Sequence, residues 1–176
     1  MPPSKSIEFI IGGCRSGKSR YALESASRYV PAQKTFIATC TPLDDEMRER
    51  IARHREERGT EWKTVEAPIE LPEAILENSP SNDVILIDCL TLWINNLLMA
   101  SETMETVFEH ADRLLKSLDQ ATCPVILVSN EVGTGIVPEN RLARLFRDAV
   151  GFTNQRVAAH ADRVFWMVAG IPVQVK

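Results

Sequence analysis

Gly12, Gly17, Lys18 and Ser19 stand at the spacing G-x-x-x-x-G-K-S, residue types suited to holding a polyphosphate. Glycine at the first and sixth positions lets successive backbone N–H groups turn inward around an anion. Lys18 supplies a cation for the β- and γ-phosphates, and the Ser19 hydroxyl can ligate Mg²⁺. A carboxylate for the same metal is Asp88, which closes the apolar run Val84-Ile85-Leu86-Ile87 in the Walker B manner. A different chemistry is available at His54. Leu43, Met47 and Ile51 recur every four residues, and His54 extends that stripe onto the inward face of a densely charged helix. A neutral imidazole there is a nucleophile or a base near neutral pH; the alternative is an ordinary, partly exposed side chain.

These groups need elements to carry them. Ile7–Ile11 reads as a buried parallel strand delivering the phosphate loop to the carboxyl edge of a sheet. A helix from Lys18 to about Tyr29 follows, its positive end aimed at the anion. Thr35–Thr39 reads as a strand, and Thr41 caps a helix running through Pro42 to about Arg58, where Gly59 ends it. Trp62–Pro68 has weak strand alternation, Ile69–Glu77 a short helical pattern, and Asn78–Asn82 loop composition. After the Val84–Asp88 strand, Leu90–Ala100 and Glu102–Asp119 read as helices and Val125–Ser129 as a strand. Asn130 and Glu131 then sit where α/β sheets place ligands, or where a loop is capped. A loop over Val132–Val137 leads to Pro138 at the start of a long helix. Arg141, Arg144 and Arg147 lie on that helix, as a solvated face paired with Glu139 and Asp148 or as substrate contacts. Val164–Val168 and Val173–Val175 close the sheet through a turn at Gly170 and Pro172. Apolar strands alternating with helices predict a single α/β domain over residues 1–176, a P-loop NTPase-type, mostly parallel, doubly wound sheet with helices on both faces.

Composition narrows the setting. With a net charge of −4, the chain has no basic field for nucleic acid or an anionic membrane. No apolar run approaches the roughly 20 residues of a membrane helix, and none near the start resembles a secretory leader. Cys14, Cys40, Cys89 and Cys123 have neither C-x-x-C nor zinc spacing, so they are expected as reduced thiols in a cytoplasmic protein. His110 and His160 are expected to be structural.

A phosphate loop leaves three classes open: a hydrolytic switch, a small-molecule kinase and a nucleotidyl-transfer enzyme. Cys89, not an acid, follows Asp88, and the chain lacks the Asn-Lys-x-Asp of guanine-binding switches. Arginine-bearing helices favour phosphoryl transfer to a small metabolite.

Gly12-Gly13-Cys14-Arg15-Ser16-Gly17-Lys18-Ser19-Arg20, Ile37-Ala38-Thr39, Leu43–Met47, Arg50-Ile51, His54 and Trp62–Glu66 together carry a resemblance. It is to the bifunctional adenosylcobinamide kinase / adenosylcobinamide-phosphate guanylyltransferase family. It is longest over Asn130–Arg144 and returns at Phe146–Asp148, Asn154–Arg156 and Ala161-Asp162. It implies phosphorylation of adenosylcobinamide by ATP or GTP, then transfer of GMP from GTP onto that phosphate. A single-activity small-metabolite kinase is the alternative. It also implies His54 as covalent GMP carrier. The implied nucleotide contacts are Gly12, Gly13, Cys14, Arg15, Ser16, Gly17, Lys18, Ser19, Thr39, Cys40, Thr41, Arg55, Glu56, Glu57, Arg58, Glu66 and Asp88. Similar enzymes form homo-oligomers, trimers among them. Many relatives have a second histidine where this chain has Arg53, so His54 is the one candidate nucleophile in its helix.

Overall fold

The computed structural model describes residues 5–29, 33–41, 45, 49, 58–59, 61–101 and 103–176. Among the described residues, seven strands form one sheet: β1 (Ile7–Gly12), β2 (Lys34–Ala38), β3 (Trp62–Glu66), β4 (Val84–Asp88), β5 (Val125–Asn130), β6 (Arg163–Val168) and β7 (Ile171–Gln174). Their spatial order is β3-β2-β4-β5-β1-β6-β7, parallel except for the β6–β7 hairpin. The described helices are α1 (Lys18–Ala26), α2 (Leu71–Asn78), α3 (Leu90–Ser101), α4 (Met104–Gln120) and α5 (Arg141–His160). The mostly parallel α/β sheet expected from the alternation is therefore present.

The two faces carry different loads. Alternate residues of the central strands point to opposite sides. Ile10, Phe36, Leu86, Ile126, Val128 and Met167 meet Tyr21, Ala22 and Ala26 of α1. Phe9, Ile37, Ile85, Ile87 and Leu127 meet α2 to α5, with Trp93 fully buried among them. Crossover handedness accounts for this. The connections through α2, α3–α4 and α5 each step one way along the strand order, whereas α1 leads the opposite way from β1 to β2. Right-handed crossovers therefore place α1 alone on its face among these helices.

Several boundaries differ from expectation for local reasons. Helix α1 ends at Ala26 rather than Tyr29, its last turn tightened by bonds from Arg28 and Tyr29 to Ser25 and Ala26 carbonyls. Residues 79–81 form a 3₁₀ turn where a loop was expected. Helix α4 starts at Met104 because Thr103 caps it through the Thr106 N–H. Helix α5 starts at Arg141, not Pro138, because the Asn140 side chain accepts the Ala143 N–H at 3.1 Å. Pro172 lies within β7, paired with Met167, and not in the turn. An edge strand tolerates its missing donor. The turn uses Ala169 (φ 51°) and Gly170 (φ 84°), the two positive φ values of a tight hairpin. Of the expected helix from Thr41 to Arg58, residues 42–44, 46–48 and 50–57 lie outside the described residues; Asp45, Glu49 and Arg58 are helical.

Candidate active site

The loop between β1 and α1 opens at the carboxyl edge of the sheet. Gly17, at φ 93°, turns it into the helix, a torsion that residues with a Cβ rarely adopt. Gly12 is required for a different reason. A Cβ there would sit 2.7 Å from the Met167 carbonyl oxygen and 2.8 Å from Ser16 Oγ. Lys18 is buried, and its ammonium donates to the Gly13 carbonyl at 2.5 Å, closing the loop on its own cation. Burial lowers the Lys18 pKa below the ordinary lysine value, and the nearby Asp88 carboxylate opposes that shift. Ser16 Oγ is buried with no hydrogen-bond partner among the described residues. A phosphate oxygen cradled by this loop would satisfy it.

Asp88 ends β4 and points to the face of α1, where Ser19 Oγ donates to its Oδ2 at 2.8 Å. Two residues 69 apart in sequence are thereby joined at one point. The pair is an all-oxygen donor set of one carboxylate and one hydroxyl, which fits Mg²⁺ completed by phosphate oxygens and water. No cluster of three or more His, Cys, Asp or Glu exists among the described residues. Behind Asp88, the buried Thr39 hydroxyl donates to the Cys89 carbonyl at 2.7 Å and accepts the Cys89 N–H at 2.9 Å. Thr39 thus steadies the backbone on which Asp88 sits. Cys89 is buried and its thiol is pushed up to about 12 by desolvation, with the Asp88 charge adding to it.

Beside this pair lies a groove of about 380 Å³, lined by Ser19, Arg20, Leu23, Phe36, Arg58, Leu86 and Asp88. Its floor is apolar and its rim is charged. The Arg58 guanidinium lies 3.6 Å from the Phe36 ring centroid, a cation–π contact that keeps a flat cation at the groove wall. Glu66 is exposed at the end of β3, in register with Ala38, which is itself in register with Asp88. Cys40 is half-buried, and Thr41, Cys14 and Arg15 are exposed around the same edge. His54, Arg55, Glu56 and Glu57 lie outside the described residues.

Sequence reasoning missed the hairpin's part in the site. The Gly170 N–H donates to the Ser16 carbonyl at 3.0 Å, and a Cβ on Gly17 would stand 3.2 Å from Gly170 Cα. The β6–β7 turn is therefore a buttress for the phosphate loop. Gly170 is the sequence signal for a positive φ there, and Ala169 gives no hint of its own. The arginines of α5 also differ from expectation. Arg144 donates to the Pro138 and Glu139 carbonyls, and Arg147 to those of Gly133, Gly135 and Ile136, rather than pairing with carboxylates. The Glu131 carboxylate accepts the Gly133 N–H at 2.8 Å, a capping role. His110 bonds the Thr106 carbonyl and packs edge-on to Trp93, while His160 pairs with Asp119, so both are structural.

Residues 8–175 fit the family model of cobinamide kinase / cobinamide phosphate guanyltransferase. The chain belongs to that family. A bifunctional adenosylcobalamin biosynthesis protein of Salmonella typhimurium is 43% identical over 180 residues, covering 95% of this chain and 98% of its own. One from Pseudomonas aeruginosa is 39% identical over 169 residues, covering 96% of each. The fold is also similar to that of a KaiC-like protein from Pyrococcus horikoshii, with a TM-score of 0.53 at 13% identity. That likeness spans 93% of this chain and 71% of the other. It speaks to architecture alone, and it agrees with the mostly parallel α/β fold of this member of the cobinamide kinase family.

Proposed function

We propose that this protein phosphorylates adenosylcobinamide with ATP or GTP, and then transfers GMP from GTP onto the new phosphate. The observation that carries the reading is the Ser19–Asp88 hydrogen bond beneath a phosphate loop closed by Lys18. Family membership supplies the acceptor. In the kinase half, the loop N–H groups and the α1 N-terminus hold the triphosphate and Lys18 neutralises charge on the moving phosphoryl group. Ser19 and Asp88 would hold Mg²⁺, whose chemistry is to polarise the phosphate oxygens.

In the second half, an imidazole nitrogen of His54 attacks the α-phosphorus of GTP and pyrophosphate leaves. An oxygen of the acceptor phosphate then attacks the phosphorus of the GMP held on His54, and the P–N bond breaks, giving adenosylcobinamide-GDP and the free imidazole. Arg55, Glu56, Glu57, Arg58, Glu66, Thr39, Cys40 and Thr41 border the nucleotide in this reading, together with residues 12–19. Arg58 at the groove wall and Glu66 in register beside Ala38 support that part. The protein works as a cytoplasmic homo-oligomer, trimers being among the forms that similar enzymes take. The exposed apolar row Trp166, Val168, Ile171 and Val173 at the open edge of the sheet supports an assembly. No described helix is long and apolar enough to cross a membrane.

The test is incubation with GTP and Mg²⁺ followed by intact-mass measurement. An acid-labile GMP adduct mapping to the peptide with His54, and absent from His54→Ala, is expected. An adduct persisting in that variant removes the histidine assignment. Brisk phosphorylation of cobinamide without pyrophosphate release would leave a kinase only.

A further inference from the structure

We propose that the loop Val132–Glu139 is the platform for the acceptor's macrocycle, with Arg144 and Arg147 as the positioning residues that hold it in shape. The inference rests on the reading above, in which the acceptor is a cobinamide. The root of the loop is pinned to the phosphate site, because the Glu131 N–H donates to the Gly12 carbonyl at 2.9 Å. Beyond that point the segment has no strand ladder or helix of its own. Its order comes from α5. The Arg147 guanidinium donates to the Ile136 carbonyl at 2.9 Å, to Gly133 at 2.7 Å and to Gly135 at 3.3 Å. Arg144 takes the Pro138 carbonyl at 3.1 Å and that of Glu139 at 2.5 Å. Two planar forks therefore engage five carbonyls of one short segment.

The product of this bracing is an apolar tip held in water. Ile136 is 96% exposed and Val137 65% exposed. A plain connection between β5 and α5 gains nothing by ordering its backbone to keep two aliphatic side chains out of the core. A platform does. A corrin is a broad macrocycle with methyl-bearing faces and amide arms, far wider than a nucleotide. The groove of about 380 Å³ beside Asp88 suits one small group, so the bulk of such an acceptor must rest outside it. The root of the loop lies on the same sheet edge as Lys18, one hydrogen bond from the phosphate loop, and the tip begins five residues further on. Because the arginines occupy its carbonyls, the loop offers aliphatic surface to the ring.

The experiment uses the full chain carrying Ile136→Ser with Val137→Ser; both side chains are solvent-facing, so folding is spared. Cobinamide binding by equilibrium dialysis, the acceptor KM, GTP affinity by calorimetry and sedimentation mass are measured together. The acceptor KM is expected to rise about tenfold or more, with GTP affinity within about twofold of wild type. Arg147→Ala should do the same, and Arg147→Lys should recover only part, since a compact ammonium lacks the wide planar fork that spans these carbonyls. An unchanged acceptor KM overturns the proposal. So does an equal loss of GTP affinity, or a change in sedimentation mass, which would assign the tip to a contact between copies of the chain. Wild-type protein that binds GTP but never turns over cobinamide overturns the functional reading itself, a failure visible without any variant.

Discussion

The loop from Gly12 to Ser19 is shaped by its own backbone, with Gly17 at φ 93° and Lys18 folded onto the Gly13 carbonyl. The loop from Val132 to Glu139 is shaped from outside, by an arginine that reaches back as many as 14 residues. Both sit at the carboxyl edge, and one hydrogen bond joins them at Gly12 and Glu131. The first is walled in at Gly12 and Gly17, where Met167 and Gly170 leave no room or little for a Cβ, while Gly13 between them faces open space. The second is open at its middle: a Cβ at Gly135 would meet nothing within 4 Å, although one at Gly133 would stand 3.0 Å from Glu131 Oε1. An anion of fixed size calls for a rigid nest made of N–H groups, whereas a broad apolar ligand calls for a surface. The contrast predicts which changes each loop tolerates.

Lys18→Ala should have the largest effect. It removes a buried cation aimed at the phosphates, and kcat should fall roughly 10²–10³-fold. Burial already disfavours the charged ammonium, so the melting temperature should be unchanged or raised. Steady-state kinetics and calorimetry check both; wild-type turnover would break the comparison at its stronger end. Next is Asp88→Asn, which keeps an acceptor for the Ser19 hydroxyl but loses the charge beside it. A roughly 10–100-fold loss of activity is expected, with a higher Mg²⁺ requirement measured by titration.

A matched pair of glycine changes sharpens the contrast. Gly12→Ala forces a Cβ to 2.7 Å from the Met167 carbonyl oxygen and should cost about 1–3 kcal/mol in denaturant unfolding. Gly135→Ala meets open space and should stay within about 0.5 kcal/mol. Equal costs for the two would contradict the walled and open descriptions.

The last effect concerns pH and is confined to alkaline solution. Folding raises the Cys89 thiol from its ordinary 9.0 to about 12. Above pH 9 the unfolded chain sheds this proton while the folded one keeps it, so the thiol erodes stability as pH rises from about 9 to 12. Its contribution is intact below that window. Melting curves of wild type and Cys89→Ala across the range should diverge, with the variant less sensitive to alkali. Parallel curves would show that the floor beneath Asp88 is wetter than its burial implies.

The phosphate loop was legible in the sequence because its chemistry is local. Eight consecutive residues, Gly12 to Ser19, carry the glycines, cation and hydroxyl together, and the apolar runs on either side announce strand and helix. Asp88 was legible too, as the polar end of a buried strand. The Val132–Glu139 loop could be located but not interpreted. Arginines at helical spacing look the same whether they face water, a carboxylate or backbone carbonyls, and only their distance from the loop in space selects the carbonyls. The hairpin buttress was hidden for the same reason, since Gly170 meets Ser16 and Gly17 through pairing of β6 with β1. Sequence alone determined the kinds of groups and the alternation that builds the sheet. Strand order was decided only in three dimensions, because the side chains that lie together at the carboxyl edge come from strands that are neighbours in space and not in the chain.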